Sequence, residues 1–177
     1  MIRLLVGFLS TFVNSFEIIN IVKTQFPKRL KPCPDIDSRL LTISNEISNN
    51  FPQFQVRYGN ETTGYICNQQ SDNLGYTSIL KESIEQNTNI WISDKLLYKP
   101  NTLYNVVLHE VLHSMGLNHS NERGMMNYSV RVGYNWYGGM EIMDDDMKLW
   151  ISTDDRKGLR FLRRGHDPQQ WVLYKGV

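Results

Sequence analysis

Neither sign of charge dominates this chain: 19 Lys plus Arg face 18 Asp plus Glu, a formal net charge of +1. So balanced a surface has no field to gather polyanions, and nucleic acid is not expected as a partner. Cysteine is scarce, at two residues, and histidine nearly so, at four. Two thiols cannot build the dense disulfide framework of a small secreted scaffold, although they can make one bond. Internal repeats and low-complexity tracts are lacking, which excludes solenoids, collagen-like rods and disordered tails. No apolar run approaches the roughly 20 residues of a membrane-spanning helix. What remains is a 177-residue chain with 41% hydrophobic and 21% charged residues, the composition of one globular domain. A chain of this size can bury roughly 70% of the surface its unfolded form exposes, and a monomer is expected.

The N-terminus carries a separate pattern. Arg3 precedes an apolar stretch from Leu4 to Val13, and Asn14 and Ser15 close it before Phe16. A positive charge, a short apolar run and small residues are the parts of a secretory signal. Residues 1–15 are therefore expected to be a signal peptide and 16–177 one extracellular domain. In that oxidising compartment Cys33 and Cys67, the only thiols, would pair with each other.

Further along, Lys28 to Lys31 reads as a strand stopped by Pro32-Cys33-Pro34. Asp37 or Ser38 then caps a helix that carries Leu40, Leu41, Ile43 and Ile47 at mixed three and four spacing and ends before Pro52. Four more short runs rich in aromatic or β-branched residues follow at Phe54–Tyr58, Gly64–Cys67, Gly75–Leu80 and Asn89–Ser93. From Thr102 to Met115 apolar residues surround the chain almost completely, which predicts a buried helix opened by Pro100-Asn101 and closed by Gly116. A last helix is expected from Ser152 to Arg164, with Thr153 as cap, Asp154 and Asp155 in its first turn and Arg160, Arg163 and Arg164 in its last.

Within the buried helix stand His109, Glu110 and His113, followed by Gly116 and His119, so that the segment reads HExxHxxGxxH. A spacing of four puts His109 and His113 one turn apart on one helical face, where both imidazoles can reach one ion. Gly116 can take a positive φ and turn the chain so that His119 returns as a third donor. Three neutral nitrogens with an open fourth position are the ligand set of a catalytic zinc. Glu110 is then the natural general base, taking a proton from water and handing it to a departing amine. Chance placement of all five residues somewhere in a chain of this composition has odds of roughly one in 10⁵. A buried helix would also hide two histidines and a glutamate at high cost unless they had partners. His166 is the only other histidine, so a second zinc site made of histidines is not available. Calcium stays open through Asp72, Asp94 and the run Asp144-Asp145-Asp146, for which solvated loops and caps are the plainer reading.

These residues resemble the metzincin zinc endopeptidases, and among them the matrixin catalytic domain. The motif HExxHxxGxxHS matches through Ser120, and Gly124-Met125-Met126-Asn127-Tyr128 is similar to the family's Met-turn, with Met126 in the role of the methionine beneath the imidazoles and Met125 as the alternative. Adjacent methionines also fill core gaps on ordinary grounds. The resemblance implies an α+β (mixed α/β) zincin-like fold: a twisted five-stranded mixed sheet, an active-site helix, a Met-turn and a closing C-terminal helix. Ser152-Thr153-Asp154-Asp155 is similar to the start of that closing helix, where paired aspartates are structural. It further implies an extended protein or peptide substrate lying along an edge strand, placed at Gly75, Tyr76 and Thr77, and a specificity wall at Tyr134-Asn135-Trp136-Tyr137-Gly138-Gly139. Tyr128 would donate to the developing oxyanion or simply pack. The histidines of the family's structural zinc site are lacking, and a propeptide of family size is not expected. Lys31-Pro32-Cys33-Pro34-Asp35 resembles a cysteine switch without its glycine, so pairing of Cys33 with Cys67 is the preferred reading. Besides a secreted zinc endopeptidase, the sequence leaves open a metzincin-fold binding module with weak or no turnover and a zinc hydrolase of a non-peptide amide.

Overall fold

The computed structural model describes residues 27–80, 87–120, 125–126, 132–134, 140–142, 148–149 and 151–163. The expected signal at 1–15, Tyr128, the aromatic stretch 135–139, Asp144 to Asp146 and His166 lie outside the described residues. Element order is β1 (Lys28–Pro32), α1 (Ser38–Asn50), β2 (Phe54–Val56), β3 (Tyr65–Gln69), β4 (Gly75–Leu80), β5 (Asn87–Ser93), α2 (Pro100–Ser114), β6 (Val132–Tyr134), β7 (Met140–Ile142) and α3 (Thr153–Arg163). The fold is mixed α/β, built on a five-stranded mixed sheet.

Strands run in the order β2-β1-β3-β5-β4. β1 pairs parallel with β2 and β3, and β3 with β5; only β4, at the rim, is antiparallel to its neighbour β5. Alternation along each strand sorts the two faces. Leu30, Ile66, Ile90 and Ile92 point inward and are fully buried, whereas Tyr76 lies opposite Trp91 on the other face and stacks on it at 6.3 Å between ring centroids.

Helix α1 starts where Asp37 accepts a hydrogen bond from the Arg39 amide, the N-cap that satisfies one orphan N–H of the first turn. Its buried stripe is Leu40, Ile43, Ser44 and Ile47, and the Ser44 hydroxyl is satisfied by donating to the Leu40 carbonyl. Pro100 forms the first turn of α2, two residues before the expected start, because its fixed φ suits that turn and its missing N–H is needed by no partner there. α2 packs against α1, β4 and β5, and one core cluster joins the inward face of the sheet to Val107, Val111, Leu112 and Met115.

One expectation needs correction. Ser152, not Thr153, caps α3: the Asp155 amide donates to the Ser152 hydroxyl at 3.0 Å while Asp155 Oδ2 accepts from the Ser152 amide at 2.9 Å, a reciprocal box that Thr153 is one residue too late to form. Val132–Tyr134 and Met140–Ile142 pair as a two-stranded antiparallel sheet. Among the described residues no helix is long and apolar enough to cross a membrane. Cys33 and Cys67 form a disulfide with Cα atoms 5.2 Å apart, tying the end of β1 to the middle of β3.

Candidate metal centre

The C-terminal end of α2 brings the three histidines together. Its closing turn is a Schellman motif: the Gly116 amide donates to the His113 carbonyl at 2.9 Å and the Leu117 amide to the Leu112 carbonyl at 3.1 Å. That arrangement requires a left-handed residue, and Gly116 has φ +107°. Leu112 and Leu117 are both buried, which supplies the apolar contact of such a motif. Beyond the turn the Asn118 side chain accepts from the His119 amide at 2.9 Å, steadying the segment that carries the third ring.

His109, His113 and His119 form a group that could hold a metal ion, each partly buried. His119 Nε2 lies 3.1 Å from His113 Nε2 and 3.2 Å from His109 Nε2. The opposite nitrogens of the two helical rings are engaged: His109 Nδ1 lies 2.7 Å from the Met125 carbonyl and His113 Nδ1 2.7 Å from the Leu117 carbonyl. A carbonyl only accepts, so each Nδ1 carries the proton and each Nε2 presents a lone pair. At most one of the two contacts to His119 can then be a hydrogen bond, because only His119 has a proton to give. Three ring nitrogens turned on one another with a shortage of protons are suited to a shared cation. Burial pushes His113 down to about 4 and also lowers His109, so both rings are neutral near pH 7 as ligands must be.

Glu110 is buried on the same helix and faces β4. Burial pushes its carboxyl up to about 7, opposed by a hydrogen bond from Thr77. Thr77 Oγ1 lies 2.7 Å from Glu110 Oε2 and 3.0 Å from the Glu110 carbonyl. Thr77, expected with Gly75 and Tyr76 to line the substrate, thus turns its hydroxyl inward onto the glutamate. Gly75 is required there by close approach: a Cβ would lie 2.9 Å from Val106 Cγ1 and 3.0 Å from Glu110 Cγ. Tyr76, between them, faces away, 39% exposed.

Met125 and Met126 occupy a turn, both side chains in the core; the Met125 carbonyl takes His109, and the Met126 carbonyl accepts from the Ser120 amide at 2.8 Å. Asp154 Oδ2 accepts from the Ser120 hydroxyl at 3.3 Å, which links α3 to the end of the motif. Asp155, fully buried, caps α3 and adds a small favourable charge toward His109. Among the described residues the acidic groups considered for calcium are not gathered: Asp72 pairs with Lys95 at 2.6 Å, and Asp94 Oδ1 accepts from Asn68 Nδ2 at 2.6 Å. The carbonyls of Leu117 and Met125 carry no signal of their own in a sequence, since any residue supplies one. Comparison with protein-family models finds no match to this chain, and comparison with curated proteins finds no significant one.

Proposed function

We propose that this protein is an exported zinc-dependent endopeptidase of the metzincin kind, of the matrixin sort in particular. The observation that carries the reading is the convergence of three histidine Nε2 atoms, two of them with fixed tautomers, beside a buried glutamate. A tetrahedron with zinc–nitrogen bonds of about 2.0–2.1 Å has edges of about 3.3 Å. The separations of 3.1 and 3.2 Å suit that ion and are tight for calcium, which prefers oxygen ligands.

His109, His113 and His119 would hold the ion. Bound there, zinc supplies a Lewis acid for a substrate carbonyl and lowers the pKa of water toward about 7. Glu110 does the proton work: its carboxylate takes the proton of the attacking water and returns it to the departing amine nitrogen. A carboxyl lifted to about 7 suits both halves of that exchange. Among the described residues β4 has one neighbour, β5, so its other rim can pair with the main chain of an extended substrate. Export is supported by the N-terminal pattern and is compatible with the Cys33–Cys67 bond.

The test is metal content of the purified protein together with cleavage of a peptide library. Expected are one zinc per chain, cleavage abolished by a chelator and restored by zinc, and loss of at least about 10³-fold in kcat for Glu110→Gln with zinc retained. Equal activity in that variant removes the mechanism; peptide binding without turnover in the zinc-loaded wild type makes the protein a binding module instead.

A further inference from the structure

The inward face of β4 bears on Glu110 in a way the substrate-strand role does not require. Strand alternation sends positions 75 and 77 toward α2 and Tyr76 away from it. At position 77 the hydroxyl has one hydrogen and two acceptors, Glu110 Oε2 at 2.7 Å and the Glu110 carbonyl at 3.0 Å, so it grips the side chain and the backbone of the same residue. At position 75 the lack of a side chain leaves the space that the rest of the glutamate fills; a Cβ there would approach Glu110 Oε1 to 3.2 Å and Cγ to 3.0 Å. The two carboxylate oxygens are therefore unlike. Oε2 is pinned by Thr77, and Oε1 takes no hydrogen bond from any described residue. An ionised carboxylate can accept about four hydrogen bonds, and among the described residues the Glu110 side chain takes only the one from Thr77. One fixed oxygen and one unengaged oxygen suit a group that must meet an incoming proton from a set direction.

We infer that Thr77 is a positioning residue for Glu110, holding one carboxylate oxygen by its hydroxyl while Gly75 leaves room for the carboxylate to keep that orientation. The inference rests on the protease reading for its kinetic consequence, but not for its structural one. Two kinds of readout separate them. In crystals of the metal-free protein, Thr77→Val is expected to release the Glu110 carboxylate into a second rotamer. Thr77→Ser keeps the wild-type placement, and Gly75→Ala displaces the carboxylate from the other side. In zinc-loaded protein, Thr77→Val is expected to lose about 10- to 100-fold in kcat, with KM within about twofold and zinc content unchanged, and Thr77→Ser to restore most of the rate. Thr77→Ala replaces the valine variant should that one not fold. An unmoved glutamate in Thr77→Val, or a rate within about twofold of wild type in that variant, overturns the inference. A wild-type protein that cleaves nothing removes the protease reading, and the metal-free structures then decide the positioning alone.

Discussion

His109 and His113 each give one ring nitrogen to a backbone carbonyl and keep the other for the centre of the cluster. The positions of these rings were legible in HExxHxxGxxH, because four-residue spacing is a property of any helix. Their tautomers were not, since the accepting carbonyls depend on where the chain goes after residue 116. Lys28 is another residue whose state only the fold reveals. It begins β1 pointing inward, its Nζ donates to Thr88 Oγ1 at 2.7 Å, and burial lowers it from 10.5 to about 8. A base whose folded pKa is depressed binds fewer protons when folded, so stability rises with pH between about 8 and 10.5 and is lost as pH falls through that window. The shift corresponds to about 3 kcal/mol. Lys28→Met should therefore be stabilising relative to wild type near pH 7, with the difference shrinking toward pH 10.5, as urea titrations at several pH values would read. A difference independent of pH would mean that the ammonium is not desolvated.

At the scale of elements, α2 owes its chemical use to how it stops. The Schellman turn at Gly116 sets the Leu117 carbonyl under His113 and starts the return to His119. Gly116→Ala is expected to cost about 1–2 kcal/mol in stability for the left-handed conformation and roughly 10- to 100-fold in zinc affinity, as loss of an orienting partner does. Thermal unfolding and competition with a chromophoric chelator would measure the two. Retained affinity in a destabilised variant would confine the glycine to the fold. The central strands and both long helices were readable from alternation, period and caps. α3 was readable in place but not in its cap, because Ser152 and Thr153 are both good capping residues and only the reciprocal bond with Asp155 tells them apart. The three-residue strands β6 and β7 are too short for alternation to register.

For the molecule as a whole, the resemblance implied a mixed five-stranded sheet with an edge strand at Gly75–Thr77, but which strand runs against the others came only from the structure, because residue types in β4 do not encode its direction. The Cys33–Cys67 bond closes a loop of sequence separation 34 across β1 and β3, worth about 4 kcal/mol in the chain-entropy account. Replacing both cysteines by serine should lower the unfolding free energy by about that amount in denaturant titrations, and a loss below about 1 kcal/mol would show that the sheet needs no such tie. The carbonyls beneath His109 and His113 come from two stretches, at 125 and 117, whose side chains are anchored in the core. Packing of those two stretches therefore shapes the hollow between the rings. On the metal reading proposed above, removing and restoring the ion would be local, repeatable events, and the protein is expected to keep its circular dichroism spectrum through a chelation cycle and to regain full occupancy without a refolding phase.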